Sequence, residues 1–146
     1  MEYAGANNPL YLISNKTLSE IKADKQPIGR FENRVAFKNN ELKLMPGDSV
    51  YIFSDGIADQ FGLSAEARAK AEAVFNDKNS TKEQINFAKA SLIKGKKFKY
   101  KRLKELLIKI NSDTPEEQKR QVVSAVIDWR GELEQIDDVC IFGVTI

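Results

Sequence analysis

Histidine is absent from all 146 residues. That removes His-centred catalytic triads, imidazole general bases and ordinary zinc sites in one step, since each needs a ring nitrogen that ligates or titrates near neutral pH. Chemistry here must rest on carboxylates, Lys and Arg, hydroxyls or a thiol. Only one cysteine is present, Cys140, so no internal disulfide can form. Its apolar neighbours Val139 and Ile141 predict a buried core thiol, and the scarcity of cysteine predicts a reducing, cytoplasmic setting. No apolar run approaches the ~20 residues that span a bilayer. The opening Met1-Glu2-Tyr3-Ala4-Gly5 has neither the basic nor the apolar region of a signal peptide. An excess of one charge is lacking too: 23 basic and 21 acidic residues leave a net +2, which says little about partners.

What is present fits one globular domain, with 42% hydrophobic and 30% charged residues. The first third reads as antiparallel β. Glu2 to Ile13 gives two strand pieces around the turn-rich Gly5–Pro9, and Thr17 to Ala23 supplies a partner strand after the Ser14-Asn15 turn. A loop follows from Asp24 to Arg30. Arg34–Phe37 and Glu41–Leu44 then flank Asn39-Asn40, which predicts a tight hairpin. Pro46-Gly47-Asp48 leads into Ser49-Val50-Tyr51-Ile52-Phe53-Ser54, a buried strand.

Past Gly56 the period becomes helical. Ala58 to Gly62 closes a short segment, and Ser64 opens an Ala-rich helix to about Phe75. Ser80-Thr81-Lys82-Glu83 predicts a capping box for a second helix, with Ile85, Phe87, Ala88, Leu92 and Ile93 on its apolar side. Phe98 to Asn111 is a third, striped by Leu103, Leu106, Leu107 and Ile110. Thr114-Pro115-Glu116-Glu117 starts a fourth, with Thr114 as cap, Pro115 at the first helical position and Glu117 completing the box. Val122, Val126 and Trp129 share its buried face and Gly131 stops it. A last strand runs from Val139 to Ile146. The fold class expected is α+β, antiparallel sheet flanked by helices.

Two acidic segments carry the chemistry. The central strand ends in Asp55-Gly56, and Asp137-Asp138 stands just before the last strand. If these strands are antiparallel neighbours, the tip of the first lies beside the start of the second. Asp55 and Asp137 then meet at one sheet edge. Unpaired carboxylates a few ångströms apart repel unless protonated or bridged by cations. Oxygen ligands without His or Cys select Mg²⁺ or Mn²⁺ over zinc. Each segment can equally be a plain turn, and spacing alone leaves both readings open.

Four pieces in order carry a resemblance: Ala4-Gly5-Ala6-Asn7-Asn8-Pro9-Leu10-Tyr11-Leu12, Pro46-Gly47-Asp48, Ser54-Asp55-Gly56-Ile57-Ala58-Asp59-Gln60-Phe61-Gly62 and Gln135-Ile136-Asp137-Asp138-Val139. Together they resemble the metal-dependent (PPM, type 2C) serine/threonine phosphatases, closest to the stage II sporulation protein E-like branch. Lys96-Lys97-Phe98-Lys99-Tyr100-Lys101-Arg102 and Glu117-Gln118-Lys119 resemble the versions attached to bacterial sensor and signalling proteins. The resemblance implies stacked antiparallel sheets flanked by helices and a partial phosphatase 2C-like sandwich. It also implies aspartates holding two Mg²⁺ or Mn²⁺ ions, and a metal-activated water attacking a phosphoserine or phosphothreonine. Asp55 and Asp137 map to metal ligands, while Gly56 and Asp138 map beside the site. The implied partners are a phosphorylated protein, such as a signalling or anti-sigma-antagonist protein of a two-component type system, and an upstream sensor domain.

The departures set the remaining expectations. The family's Asp-x-x-Gly-His-Gly segment, source of the aspartate that bridges both metals, is missing here. The chain therefore resembles the C-terminal half of the domain, weak or inactive alone, with a helical insertion at about 63–94. An apolar sheet face left open by the missing half predicts a homodimer or strand exchange. Two other classes of function compete. A non-catalytic phosphatase-like interaction module would suit an incomplete metal set. Nucleic-acid binding could use Lys94 to Lys104, where seven of eleven residues are basic and Phe98 and Tyr100 interleave. The balanced global charge argues against that last class, and a helix with an apolar stripe ordinarily carries a cationic solvated face.

Overall fold

The computed structural model describes residues 1–30 and 32–146. In chain order the elements are β1 (Glu2–Tyr3), β2 (Leu10–Ser14), β3 (Thr17–Ile21), β4 (Asn40–Glu41), β5 (Ser49–Phe53), α1 (Gly56–Asp59), β6 (Phe61–Gly62), α2 (Ala65–Asn76), α3 (Lys82–Lys94), β7 (Lys96–Lys97), α4 (Lys99–Ile110), α5 (Pro115–Arg130) and β8 (Ile141–Thr145). The main sheet has the order β3-β2-β5-β8, antiparallel throughout, with Tyr11 opposite Tyr51 and Tyr51 opposite Gly143. Two-residue ladders join β1 to β4 and β6 to β7. This is the α+β arrangement of antiparallel sheets flanked by helices.

Strand period decides which side chains build the core. Tyr11, Ile13, Tyr51 and Phe53 point to one face of the main sheet, where α4 and α5 cover them with Leu103, Leu107, Ile110, Val122 and Trp129. The opposite face leaves Ile52, Phe142, Val144 and Ile146 substantially exposed. Trp129 ties the layers together. Its indole N–H donates to the Gln60 carbonyl at 3.2 Å, and its own carbonyl accepts from Leu63 N and Arg68 Nη2. A β-carbon at Gly62 would lie 2.0 Å from that Trp129 carbonyl oxygen, so only glycine permits this approach.

Five expectations are corrected. The Asn39-Asn40 hairpin does not form, because this segment takes its hydrogen bonds from side chains of the preceding loop. The Gln26 amide holds both backbone groups of Val35, and Asp24 Oδ2 accepts from Lys38 N. Asn40 joins Glu41 in β4 instead. The second capping box sits one residue later: Thr81 caps and Gln84 reciprocates. Of the apolar residues assigned to that helix only Ala88 is buried, while Phe87 is 77% exposed. Thr114 caps α5, yet the Glu117 carboxylate turns to Arg120 and Gln121 rather than back to Thr114. Cys140 is exposed, since alternation sends Val139 and Ile141 toward the core and the residue between them outward.

Two outcomes test this packing. Leu107→Ala, in the fully buried stripe, is expected to cost about 2–5 kcal/mol, whereas Phe87→Ala should stay within about 0.5 kcal/mol. Urea unfolding at neutral pH measures both. Burial pushes the Tyr11 and Tyr51 phenols above their usual 10.0, with the Glu20 charge adding to the effect at Tyr11. A raised native pKa means the folded state keeps these protons longer than the unfolded chain. Stability should therefore be full below pH 10 and fall as pH rises beyond it, less steeply in Tyr11→Phe.

Candidate functional site

β5 drives the chain to the sheet edge, and there Ser54 locks it to the chain entering β8. Ser54 N donates to the Cys140 carbonyl at 2.9 Å, Ser54 Oγ donates to the Asp138 carbonyl at 2.7 Å, and Cys140 N donates to Ser54 Oγ at 2.9 Å. The expected antiparallel neighbourhood of the two acidic segments is thus the observed one. Contact continues at Gly56. A β-carbon there would stand 2.3 Å from the Asp138 carbonyl oxygen and 3.4 Å from the Asp137 carbonyl carbon. Backbone meets backbone, so the two acidic segments abut.

Asp55 ends the strand and stands at the head of α1, whose single turn returns Asp59 N to the Asp55 carbonyl at 2.9 Å. Asp55, Asp137 and Asp138 are exposed, and Asp59 is half-buried. Asp137 Oδ1 accepts from Asp138 N at 2.7 Å and its carbonyl accepts from Gln135 Nε2 at 3.0 Å, which ties this carboxylate to its own loop. Among the described residues no three acidic, His or Cys side chains converge as a ready-made metal cage. What the arrangement offers is hard oxygen donors from two abutting segments, open to water. That donor chemistry fits a divalent ion that retains part of its hydration shell, as Mg²⁺ does.

Two residues at this edge escape sequence reasoning. Asp59 forms an ion pair with Lys97 at 2.9 Å, an exposed pair brought together by the β6–β7 ladder. Its spacing of four from Asp55 was a legible signal for one helical face. Tyr100, in the first turn of α4, has its phenol pushed up, by burial first and then by the Asp55 and Asp59 charges. It packs against Phe53 with ring centroids 6.0 Å apart. Nothing in the sequence pairs Tyr100 with Asp55. The basic run around it does not form one cationic patch: Lys97 and Lys104 sit in ion pairs with Asp59 and Glu20, and the Arg102 guanidinium lies 4.2 Å over the Trp129 ring.

Comparison with known proteins adds three findings. A family profile described as Stage II sporulation protein E (SpoIIE) matches residues 1–96. No curated protein sequence matches. A solved structure described as the SiaA-PP2C domain of Pseudomonas aeruginosa aligns with a TM-score of 0.72 and 23% identity, covering 99% of this chain and 46% of that one. The likeness extends over the fold, and this chain spans less than half the length of that relative.

Gly56→Ala forces a β-carbon into the Asp138 carbonyl and should destabilise by roughly 2–4 kcal/mol, with amide shifts at 137–140 in the NMR spectrum. In ¹³C-tyrosine NMR titrations, Asp55→Asn should lower the Tyr100 pKa toward its ordinary value and leave that of Tyr51 in place. An unmoved Tyr100 would contradict the stated proximity.

Proposed function

The chain belongs to the SpoIIE family of PP2C-like phosphatase domains, and from that premise we propose that it carries the second metal-holding segment of a Mg²⁺- or Mn²⁺-dependent phosphoserine/phosphothreonine protein phosphatase of bacterial signalling. The observation that supports this reading is the abutment of Asp55-Gly56 and Asp137-Asp138 at one sheet edge. Asp55 and Asp137 are the residues that would hold the cation, with Gly56 and Asp138 shaping the edge beside them. When bound, such an ion supplies an acidic water at neutral pH and neutralises charge on the phosphoryl oxygens, so no imidazole is required. Asp59 and Lys97 border the edge as a neutralised pair. Tyr100 offers a phenol that stays protonated and can donate a hydrogen bond near Asp55.

The partner in this reading is a phosphorylated signalling protein, with the phosphatase acting in the cytoplasm downstream of a sensor domain. No helix among the described residues is long and apolar enough to cross a membrane. We read residues 1–146 as the C-terminal portion of the domain, with α2 and α3 as a helical insertion. The sequence holds no Asp-x-x-Gly-His-Gly segment, so the chain by itself should hydrolyse weakly or not at all. That same lack favours a second reading, a non-catalytic phosphatase-like interaction module.

Calorimetry with Mn²⁺ tests the site independently of turnover. Binding is expected in the wild type and should weaken by at least about tenfold in Asp55→Asn and in Asp137→Asn. Hydrolysis of para-nitrophenyl phosphate then separates the two readings. Mn²⁺-dependent turnover abolished by Asp55→Asn supports the enzyme, and metal binding without turnover supports the module.

A further inference from the structure

We infer that the groove between α2 and α3 captures an acidic amphipathic segment of a partner protein, taken up as a helix. The groove is built by one continuous stretch, residues 63–96. That stretch stands on the helix-covered side of the main sheet. Arg68 Nη2 donates to the Trp129 carbonyl at 2.7 Å, and α2 shares a cleft with α4 and α5. The exposed sheet face that carries Ile52, Phe142 and Val144 is a separate surface, across the sheet from these helices.

Two helical faces make the groove. α2 presents Ala67, Lys70, Ala71 and Val74, spaced i, i+3, i+4 and i+7, and α3 presents Gln84, Phe87, Ala88 and Ser91 at the same spacing. Ala71 and Ala88 are buried, whereas Phe87, beside Ala88, is almost fully exposed. The space enclosed is about 570 Å³, within the range of clefts that bury a ligand's apolar groups. An amphipathic helix laid into such a groove covers Phe87 and Val74 with its own apolar face.

Charge selects the occupant. Lys70, Lys94 and Lys96 rim the groove, and no carboxylate lines it. The acidic residues of the two helices, Glu66, Glu72 and Glu83, all fall outside the lining. Among the described residues none of the three rim lysines is in an ion pair. A cationic rim around an apolar floor is complementary to an apolar stripe flanked by Asp or Glu. A second copy of this chain is the wrong occupant, because a two-fold contact here sets lysine rim against lysine rim. A bilayer fits less well than a helix, since the apolar floor is recessed between two helices rather than displayed on one. Lys96 leads into Lys97, the partner of Asp59, so the captured segment ends beside the acidic sheet edge. The inference uses neither Asp55, Asp137 nor a metal, and it stands apart from the phosphatase reading.

Fluorescence anisotropy tests it with a labelled, end-capped peptide of about 14 residues, Leu at i, i+3, i+4 and i+7 and Glu beside them. Saturable binding is expected below about 1 mM, with amide shifts confined to residues 63–96. Phe87→Ala, and separately Lys70→Glu combined with Lys94→Glu, should each weaken binding at least about tenfold with unchanged circular dichroism. Lys109→Glu, the same charge change on α4, should leave it in place. Absence of saturation overturns the inference. So does equal binding of a peptide with Lys in place of Glu, or an equal loss in Lys109→Glu. Vesicles of phosphatidylglycerol that bind through Phe87 when the peptide does not would assign the groove to a membrane instead. A peptide that binds this chain but not the whole domain would mean that the rest of the domain fills the groove, and overturns the inference as well.

Discussion

Everything at the candidate site depends on one strand pairing. β5 and β8 are 88 residues apart from Phe53 to Ile141, yet they lie side by side with Phe53 opposite Ile141. Ser54 then extends the ladder by one step beyond the sheet through its backbone and its hydroxyl. Without that step the Asp55 turn and the Asp137 loop would be two unrelated exposed turns. With it, the fold brings two acidic segments together at a place where the backbone has no room for a side chain at position 56.

The pairing is held by a one-sided core. α4 and α5 press Leu103, Leu107, Ile110, Val122 and Trp129 onto Tyr11, Ile13, Tyr51 and Phe53. A buried hydrogen bond of 2.8 Å from the Tyr51 hydroxyl to Gln118 Oε1 fixes the helices over the strands. The helical layer therefore sets the register in which the acidic ends of β5 and β8 meet. Because Gly143 faces the Tyr51 ring and a β-carbon there would lie 2.8 Å from it, slipping β8 by one residue would drive Phe142 or Val144 into that packed face and turn Ile141 out of it.

Some of this was legible in the sequence. Val50, Ile52 and Phe53 between the turn residues Pro46-Gly47-Asp48 and Gly56 identified β5, and Thr114-Pro115 marked the start of α5 to the residue. Elsewhere the controlling physics lay in contacts far apart in the chain. The segment around Val35 has the propensity of a hairpin arm, but the Gln26 amide satisfies its backbone from outside the segment. The apolar neighbours of Cys140 point to the core and Cys140 does not, since strand period gives adjacent residues opposite faces. Asp59 could have been found from its spacing to Asp55. Tyr100 could not, since only the placement of α4 against β5 brings it to that edge.

The central claim is that Asp55 and Asp137 form one cation site. Titrating Mg²⁺ into the protein with ¹³C-labelled aspartate, and following each carboxylate carbon by NMR, addresses it most directly. The account predicts that Asp55 and Asp137 move along a single saturation curve, while Asp113 at the far end of α4 stays still. Separate midpoints for the two, or movement of one alone, would contradict it.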